Sequence, residues 1–162
     1  MKELIIARHA KSSWKNTEIS DIERPLNKRG YVDANSMGKC LNSCSANPDS
    51  IITSPAVRAF STATIYARYL NFNFENFKVD EILYAGSFHH LVKMVQNLDT
   101  KINVVMIFGH NPTFTDLANY FIFDKIDNIP TSGIVSIHFD VTNWSEVGEK
   151  SGVLNYFHYP NK

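Results

Sequence analysis

The chain has 162 residues, enough to bury a core as one domain, so a single unit over residues 1–162 is expected. Lysine plus arginine equals aspartate plus glutamate at 16 each, so no net field draws the chain to nucleic acid or an anionic membrane. No apolar run reaches the roughly 18 residues of a membrane span, and the N-terminus reads as a strand rather than a secretory peptide, so a cytoplasmic protein is expected.

Residues 3–7 predict the first strand, an apolar run that stops at Arg8-His9. Residues 8–26 then form a polar loop, longer than ordinary connections and therefore a place to look for function. Asn27 is a good N-cap for a helix whose inner face is Gly30, Ala34, Met37, Leu41 and Cys44. Cys40 and Cys44, four apart on that helix, read as small packing residues of a reduced protein, with a disulfide or a metal pair as alternatives.

Asn47-Pro48-Asp49 is a turn before a short strand over 50–53. Ser54-Pro55 reads as an N-cap and first helical residue, with Ala56, Ala59, Ala63, Ala67 and Leu70 facing inward. A weaker strand covers 77–83, and Ser87 caps a helix with Leu91, Val95 and Leu98 inward. Residues 102–108 are the clearest strand, β-branched and almost wholly apolar, and so central in a sheet. Asn111-Pro112 opens another helix, with Phe114, Leu117, Ala118 and Phe121 inward. Pro130–Gly133 is a loop, and strands at 134–140 and 153–159 finish the chain. This alternation predicts an α/β sandwich on a mainly parallel sheet.

Three strand-to-helix junctions carry the chemistry. The first ends in Arg8-His9, the second puts Arg58 one turn into a helix, and the third ends in Gly109-His110-Asn111-Pro112. In a parallel sheet such junctions lie on one edge. Two arginines, two histidines and two helix N-termini would converge there, which fits a phosphoryl group. A neutral histidine on a rigid strand end can attack phosphorus, and a second, when protonated, can stabilise the equatorial oxygens. Arginine and imidazolium supply the charge that magnesium often brings, so neither a metal nor another cofactor is expected. His89, His90, His138 and His158 lack such context and read as surface or boundary residues.

Arg8-His9-Ala10 resembles the Arg-His-Gly signature of the histidine phosphatase superfamily, the phosphoglycerate-mutase-like fold. Lys11-Ser12-Ser13-Trp14-Lys15 resembles the Glu-Ser-x-Trp-Asn of its mutases. Ser54-Pro55-Ala56-Val57-Arg58-Ala59 and Gly109-His110-Asn111-Pro112 resemble its second-arginine and second-histidine segments, in the family's order. The short length, Arg8-His9-Ala10-Lys11-Ser12 and Asp21-x-x-Arg24-Pro25-Leu26-Asn27-x-Arg29-Gly30 are most similar to the SixA-type phosphohistidine phosphatases. The resemblance implies a three-layer α/β/α sandwich, His9 as a nucleophile that becomes phosphohistidine, and Arg8, Arg58 and His110 as phosphoryl ligands. Lys11, Ser12, Lys15 and Thr131 are the further substrate-binding candidates.

The chain departs from the family in three places. Ala10 replaces the commoner glycine, Lys15 stands at the mutases' asparagine, and Leu83-Tyr84-Ala85 lacks the carboxylate that donates a proton to an alkoxide leaving group. Glu81 is the nearby candidate donor. An imidazole leaving group is less basic than an alkoxide, so a site without a strong acid is better matched to phosphohistidine. The first reading is therefore a phosphatase of a phosphohistidine-bearing phosphotransfer protein in signal transduction, acting as a monomer. A phosphatase of small phosphomonoesters and a non-catalytic phosphoprotein-binding module are the alternatives. Trp14, Tyr84 and Phe88 are candidates for the rim of the pocket.

Overall fold

The computed structural model describes residues 1–161. Six strands form one sheet: β1 (Lys2–Arg8), β2 (Ser50–Thr53), β3 (Phe77–Val79), β4 (Val104–Gly109), β5 (Ile134–Phe139) and β6 (Val153–His158). Their order across the sheet is β3-β2-β4-β1-β5-β6. The pairs β3/β2, β2/β4 and β4/β1 are parallel, while β5 runs antiparallel to both β1 and β6. The most apolar segment is thus in the interior of the sheet, as its composition requires.

Alternation along each strand divides the core. Leu4, Ile6, Val105, Ile107, Val135 and Ile137 face one side, where they meet α4 (Phe88–Gln96) and α5 (Thr113–Phe121). Ile5, Ala7, Met106, Phe108 and Ile134 face the other, against α1 (Lys28–Ser43) and α2 (Val57–Tyr69). Each fully buried large apolar side chain contributes roughly 1.5–3 kcal/mol. A one-residue slip of β1 would reverse both faces, so the register is strongly fixed. The result is the expected three-layer α/β/α sandwich.

Several boundaries differ from the sequence pattern. Ser54-Pro55 does not open α2, which starts at Val57 with Ala56 at the cap; the Ser54 hydroxyl is engaged elsewhere. The strand expected over 77–83 ends at Val79, because Asp80 accepts from the Ile82 amide at 2.9 Å and starts the single helical turn α3 (Ile82–Ala85). Asn111 and Pro112 both precede α5, although Asn111 Oδ1 still caps it by accepting from the Thr115 amide at 3.2 Å. The 8–26 loop holds a 3-10 turn at Asp21–Glu23 and a bridge between Ser12 and Leu26. Cys44, expected on the inner face of α1, is exposed, and Cys40 is half-buried.

Asn27 caps α1 as expected, accepting from the Gly30 amide at 2.8 Å. The Lys11 carbonyl, which accepts from the Asn27 amide at 3.0 Å, sits against Gly30. A Cβ on Gly30 would stand 2.1 Å from that oxygen. Only glycine lets the first turn of α1 press on the chain leaving His9. Gly30→Ala should therefore cost about 1–3 kcal/mol, read as a lower urea midpoint. An unchanged midpoint would show that the two segments separate freely.

Candidate active site

The register places the chemistry. Arg8 lies opposite Gly109 across the β1/β4 pair, and Thr53 lies opposite Phe108 across β2/β4. Three chains leave the sheet at one level, carrying His9, His110 and Ser54. The His9 amide donates to the Gly109 carbonyl at 3.1 Å, and the His9 carbonyl accepts from the Ser132 amide at 3.1 Å. Ser132 holds φ 62°, the left-handed region, to make that contact. The next amide, Ala10, donates to Thr62 Oγ1 at 2.9 Å, and Thr62 Oγ1 donates to the Arg58 carbonyl at 2.7 Å. The first turn of α2 is thereby tied to the main chain beside His9. Ala10 is fully buried with negative φ, so alanine fits where the family commonly has glycine.

The His9 and His110 rings lie 5.0 Å apart, tilted by 50°. His9 Nδ1 is 2.7 Å from the Ala10 carbonyl, which can only accept. The network therefore assigns the proton to Nδ1 and leaves the Nε2 lone pair free. Ser54 Oγ accepts from the Ala56 amide at 3.2 Å and lies 2.8 Å from His110 Nε2. Where Ser54 donates its own proton to Nε2, His110 carries its proton on Nδ1 and presents a donor to an incoming acceptor. Burial pushes the His9 pKa down to about 4; the Ala10 hydrogen bond opposes this, while Arg58, Arg8 and Arg24 reinforce it. Burial, then His9 and Arg58, push His110 down to about 3. His110 is therefore neutral at neutral pH, and an arriving phosphoryl dianion would favour the protonated form in which it can stabilise equatorial oxygens.

Arg8 Nη1 donates to the Ile129 carbonyl at 2.8 Å. Arg58, only 5% exposed, donates through Nη1 to the Asp21 carbonyl at 2.6 Å and through Nη2 to Asp21 Oδ2 at 2.9 Å. Among the described residues, Arg8 Nε and Arg58 Nε are buried N–H donors without a partner, and His110 Nδ1 is a buried ring nitrogen without one. Such a donor ordinarily costs about 1–3 kcal/mol. Three in one cluster mark a place built for an acceptor the protein does not itself supply.

Asp21 is the residue that the sequence pattern left without a role. Its carboxylate also takes the Tyr84 hydroxyl at 2.9 Å and Arg24 Nε at 3.0 Å. Partial burial favours its neutral form, but the bonds from Arg58, Tyr84 and Arg24 win and hold its pKa down to about 2. Asp21 is therefore ionised at neutral pH and buckles the 3-10 turn onto Arg58. Arg24 donates onward to Ser12 Oγ at 2.7 Å and lies 3.6 Å beneath the Trp14 ring.

The structure brings Arg8, His9, Arg58 and His110 together. Ser12 belongs to the surrounding shell through Arg24, and Thr131 lies half-buried in the loop that holds His9. Lys11 and Lys15 are exposed, and among the described residues neither ammonium bonds to the quartet. Glu81 is exposed, and its carboxylate likewise bonds to none of the four. Of the rim candidates, Tyr84 meets the His110 ring edge-on at 5.5 Å and Trp14 covers Arg24. Phe88 instead packs on Tyr120 in the core.

Both histidines should be neutral at pH 6, with Nδ1 of His9 protonated, in long-range 15N–1H NMR spectra. Their folded-state values lie below the ordinary 6.5, so the unfolded chain takes protons first. The stability they add is complete above pH 6.5 and is lost as pH falls through about 4 and then about 3. Rings that titrate near 6.5 would contradict this environment. Ser54→Ala should leave His110 a mixture of tautomers while His9 is unchanged.

A family model described as the histidine phosphatase superfamily (branch 1) matches residues 4–85. An uncharacterized chloroplastic protein of Arabidopsis thaliana is 28% identical over 130 residues, 73% of this chain and 58% of that protein. The chain thus spans little more than half of that relative. An uncharacterized Mycobacterium tuberculosis protein is 27% identical over 168 residues, 94% of this chain and 99% of its own length. Among solved structures, SixA from Agrobacterium tumefaciens superposes with a TM-score of 0.84 at 22% identity, covering 99% of both chains. A protein histidine phosphatase SixA complexed with tungstate gives 0.82 at 21%, covering 97% of this chain and 96% of that one. A mycobacterial glucosyl-3-phosphoglycerate phosphatase gives 0.69 at 11%, covering 96% and 97%. These likenesses agree on the fold, and the matched segment holds Arg8, His9 and Arg58; the chain belongs to the histidine phosphatase superfamily.

Proposed function

We propose that the protein removes the phosphoryl group from phosphohistidine on a signalling protein and passes it through His9 to water. The observation that carries this reading is the set of unpartnered buried nitrogens, the N–H donors Arg8 Nε and Arg58 Nε with His110 Nδ1, beside a His9 whose Nε2 lone pair is free. Donors held in place before the reaction stabilise charge at the transferring phosphoryl without reorganising. In the first step His9 Nε2 forms a bond to phosphorus as the substrate's P–N bond breaks. The substrate imidazole keeps that electron pair. If its far nitrogen already carries a proton, it leaves as neutral imidazole. In the second step water attacks phosphorus, the P–Nε2 bond of phospho-His9 breaks, and phosphate departs with the hydroxyl while the remaining proton goes to solvent.

The acids around the quartet support this substrate class. An alkoxide needs a proton from a group with a pKa near the working pH. Asp21, the carboxylate against the quartet, is held near 2 and cannot supply one, and Glu81 is out in solvent. An imidazole leaving group does not require such a donor. The connection from α2 to β3 is only residues 70–76, with no inserted lid, so a histidine on another protein's surface can approach.

The test is the kcat/KM of the protein on a phosphorylated phosphotransfer domain against p-nitrophenyl phosphate and a sugar phosphate. The proposal expects a preference for phosphohistidine of at least about 100-fold, or ~2.7 kcal/mol of transition-state stabilisation. His9→Ala should lower turnover by at least about 1000-fold, and Glu81→Gln should change it little. Faster turnover of the sugar phosphate would establish the phosphomonoesterase reading instead. Phosphate binding without turnover of any substrate would leave a binding module.

A further inference from the structure

Outside the residues of this pocket, three ligand side chains meet beside the edge strand β6, on the α1 side of the sheet. Cys40 and Cys44 lie one turn apart at the C-terminal end of α1, and His158 ends the edge strand β6. Their donor atoms, two Sγ and one imidazole nitrogen, all lie within 4.8 Å of one another. Cys44 Sγ and His158 Nε2 are 3.7 Å apart. Around a tetrahedral zinc ion with Zn–S ≈ 2.3 Å and Zn–N ≈ 2.0–2.1 Å, neighbouring S and N ligands stand about 3.6 Å apart. The observed separation matches the spacing of two ligands on one ion.

A disulfide is the obvious competitor, and helix geometry disfavours it. Residues four apart on a helix hold their Cβ atoms about 5–6 Å apart. A disulfide needs about 3.5–4.5 Å. Closing one would unwind the last turn of α1, whereas a metal ion spans the gap without moving the backbone. The His158 ring is also held in place, stacked on Tyr156 at 4.9 Å and 16°. Two thiols and an imidazole select zinc among the divalent ions that prefer tetrahedral sites.

We propose that Cys40, Cys44 and His158 form a zinc site, with water as the fourth ligand, that staples β6 to α1. Each thiol releases its proton as it binds, and His158 binds through its neutral Nε2. The function is structural. β6 pairs only with β5, so one of its margins lacks a strand partner. The ion ties that edge to the helix beside it. The site holds none of the four residues of the phosphoryl pocket, so its occupancy is separate from the phosphatase reading.

The test is a titration of the fully reduced, metal-free protein with Co2+, followed by Zn2+, with a phosphine reductant in place of competing thiols. The proposal expects visible bands of a tetrahedral cobalt site together with thiolate-to-cobalt charge-transfer bands, both bleached by zinc. The charge-transfer bands separate this site from His9 and His110, which have no sulfur. Cys44→Ser and His158→Ala should each weaken Co2+ binding by more than the about 10–100-fold typical of a lost outer-shell contact. Zinc should raise the Tm of the native protein and leave that of Cys44→Ser unchanged. No thiolate-to-cobalt band in the native protein, or the same bands in Cys44→Ser, would overturn the proposal.

Discussion

The parallel pairing of β1 with β4 is the constraint on which the rest of the site depends. Two neighbouring strands end at the same level, Arg8 opposite Gly109, and each is followed at once by a histidine. The backbone bond from the His9 amide to the Gly109 carbonyl extends the pairing by one residue. The imidazoles then stand side by side, 5.0 Å apart, as a consequence of register rather than of flexible loops. The apolar faces of β1 and β4 lock that register, because a slip would expose Leu4 and Ile6 on the wrong side. Core packing thus sets the precision of the chemistry.

Around those rings the protein assembles more positive charge than it neutralises. Arg8, Arg24 and Arg58 all act on His9, while Asp21 is the carboxylate held against two of them. Asp21 is half-exposed, so its ion pairs add little to stability. Their consequence is positional: they fix the Arg58 guanidinium while its Nε stays free. Both histidines respond to the same field and to burial by remaining neutral. A neutral His9 has the lone pair that the proposed nucleophile needs, and a neutral His110 that accepts at Nε2 from Ser54 is still a donor at Nδ1. On the proposed reading, the pocket holds its donors and its nucleophile ready before any substrate arrives.

Much of this was legible in the sequence. The apolar runs ending in Arg8-His9 and Gly109-His110 carry both the strand and the residue at its end, and parallel topology brings them to one edge. The α1 cap at Asn27 and the α4 cap at Ser87 were equally plain, since each side chain bonds to an amide three residues on. The Ser54-Pro55 pattern suggests a helix cap, but the tertiary partner of Ser54, His110, is 56 residues away and no local pattern reports it. Asp21 was visible only as part of a motif; its contacts with Arg58 and Tyr84 span 37 and 63 residues. The strand expected through 83 failed at Asp80, whose side chain captures a backbone amide and turns the chain. His158 was unremarkable in sequence, and it acquires meaning only when β6 brings it to Cys44.

The central claim is that phosphorus passes through His9. The most direct measurement is a rapid acid-free quench of the protein during turnover of a radiolabelled phosphohistidine substrate, followed by peptide mapping. The account predicts an acid-labile, alkali-stable label on the peptide bearing His9, which appears before phosphate and is absent from His9→Ala. Turnover at full rate with no label on His9, or with the label on another residue, would contradict it.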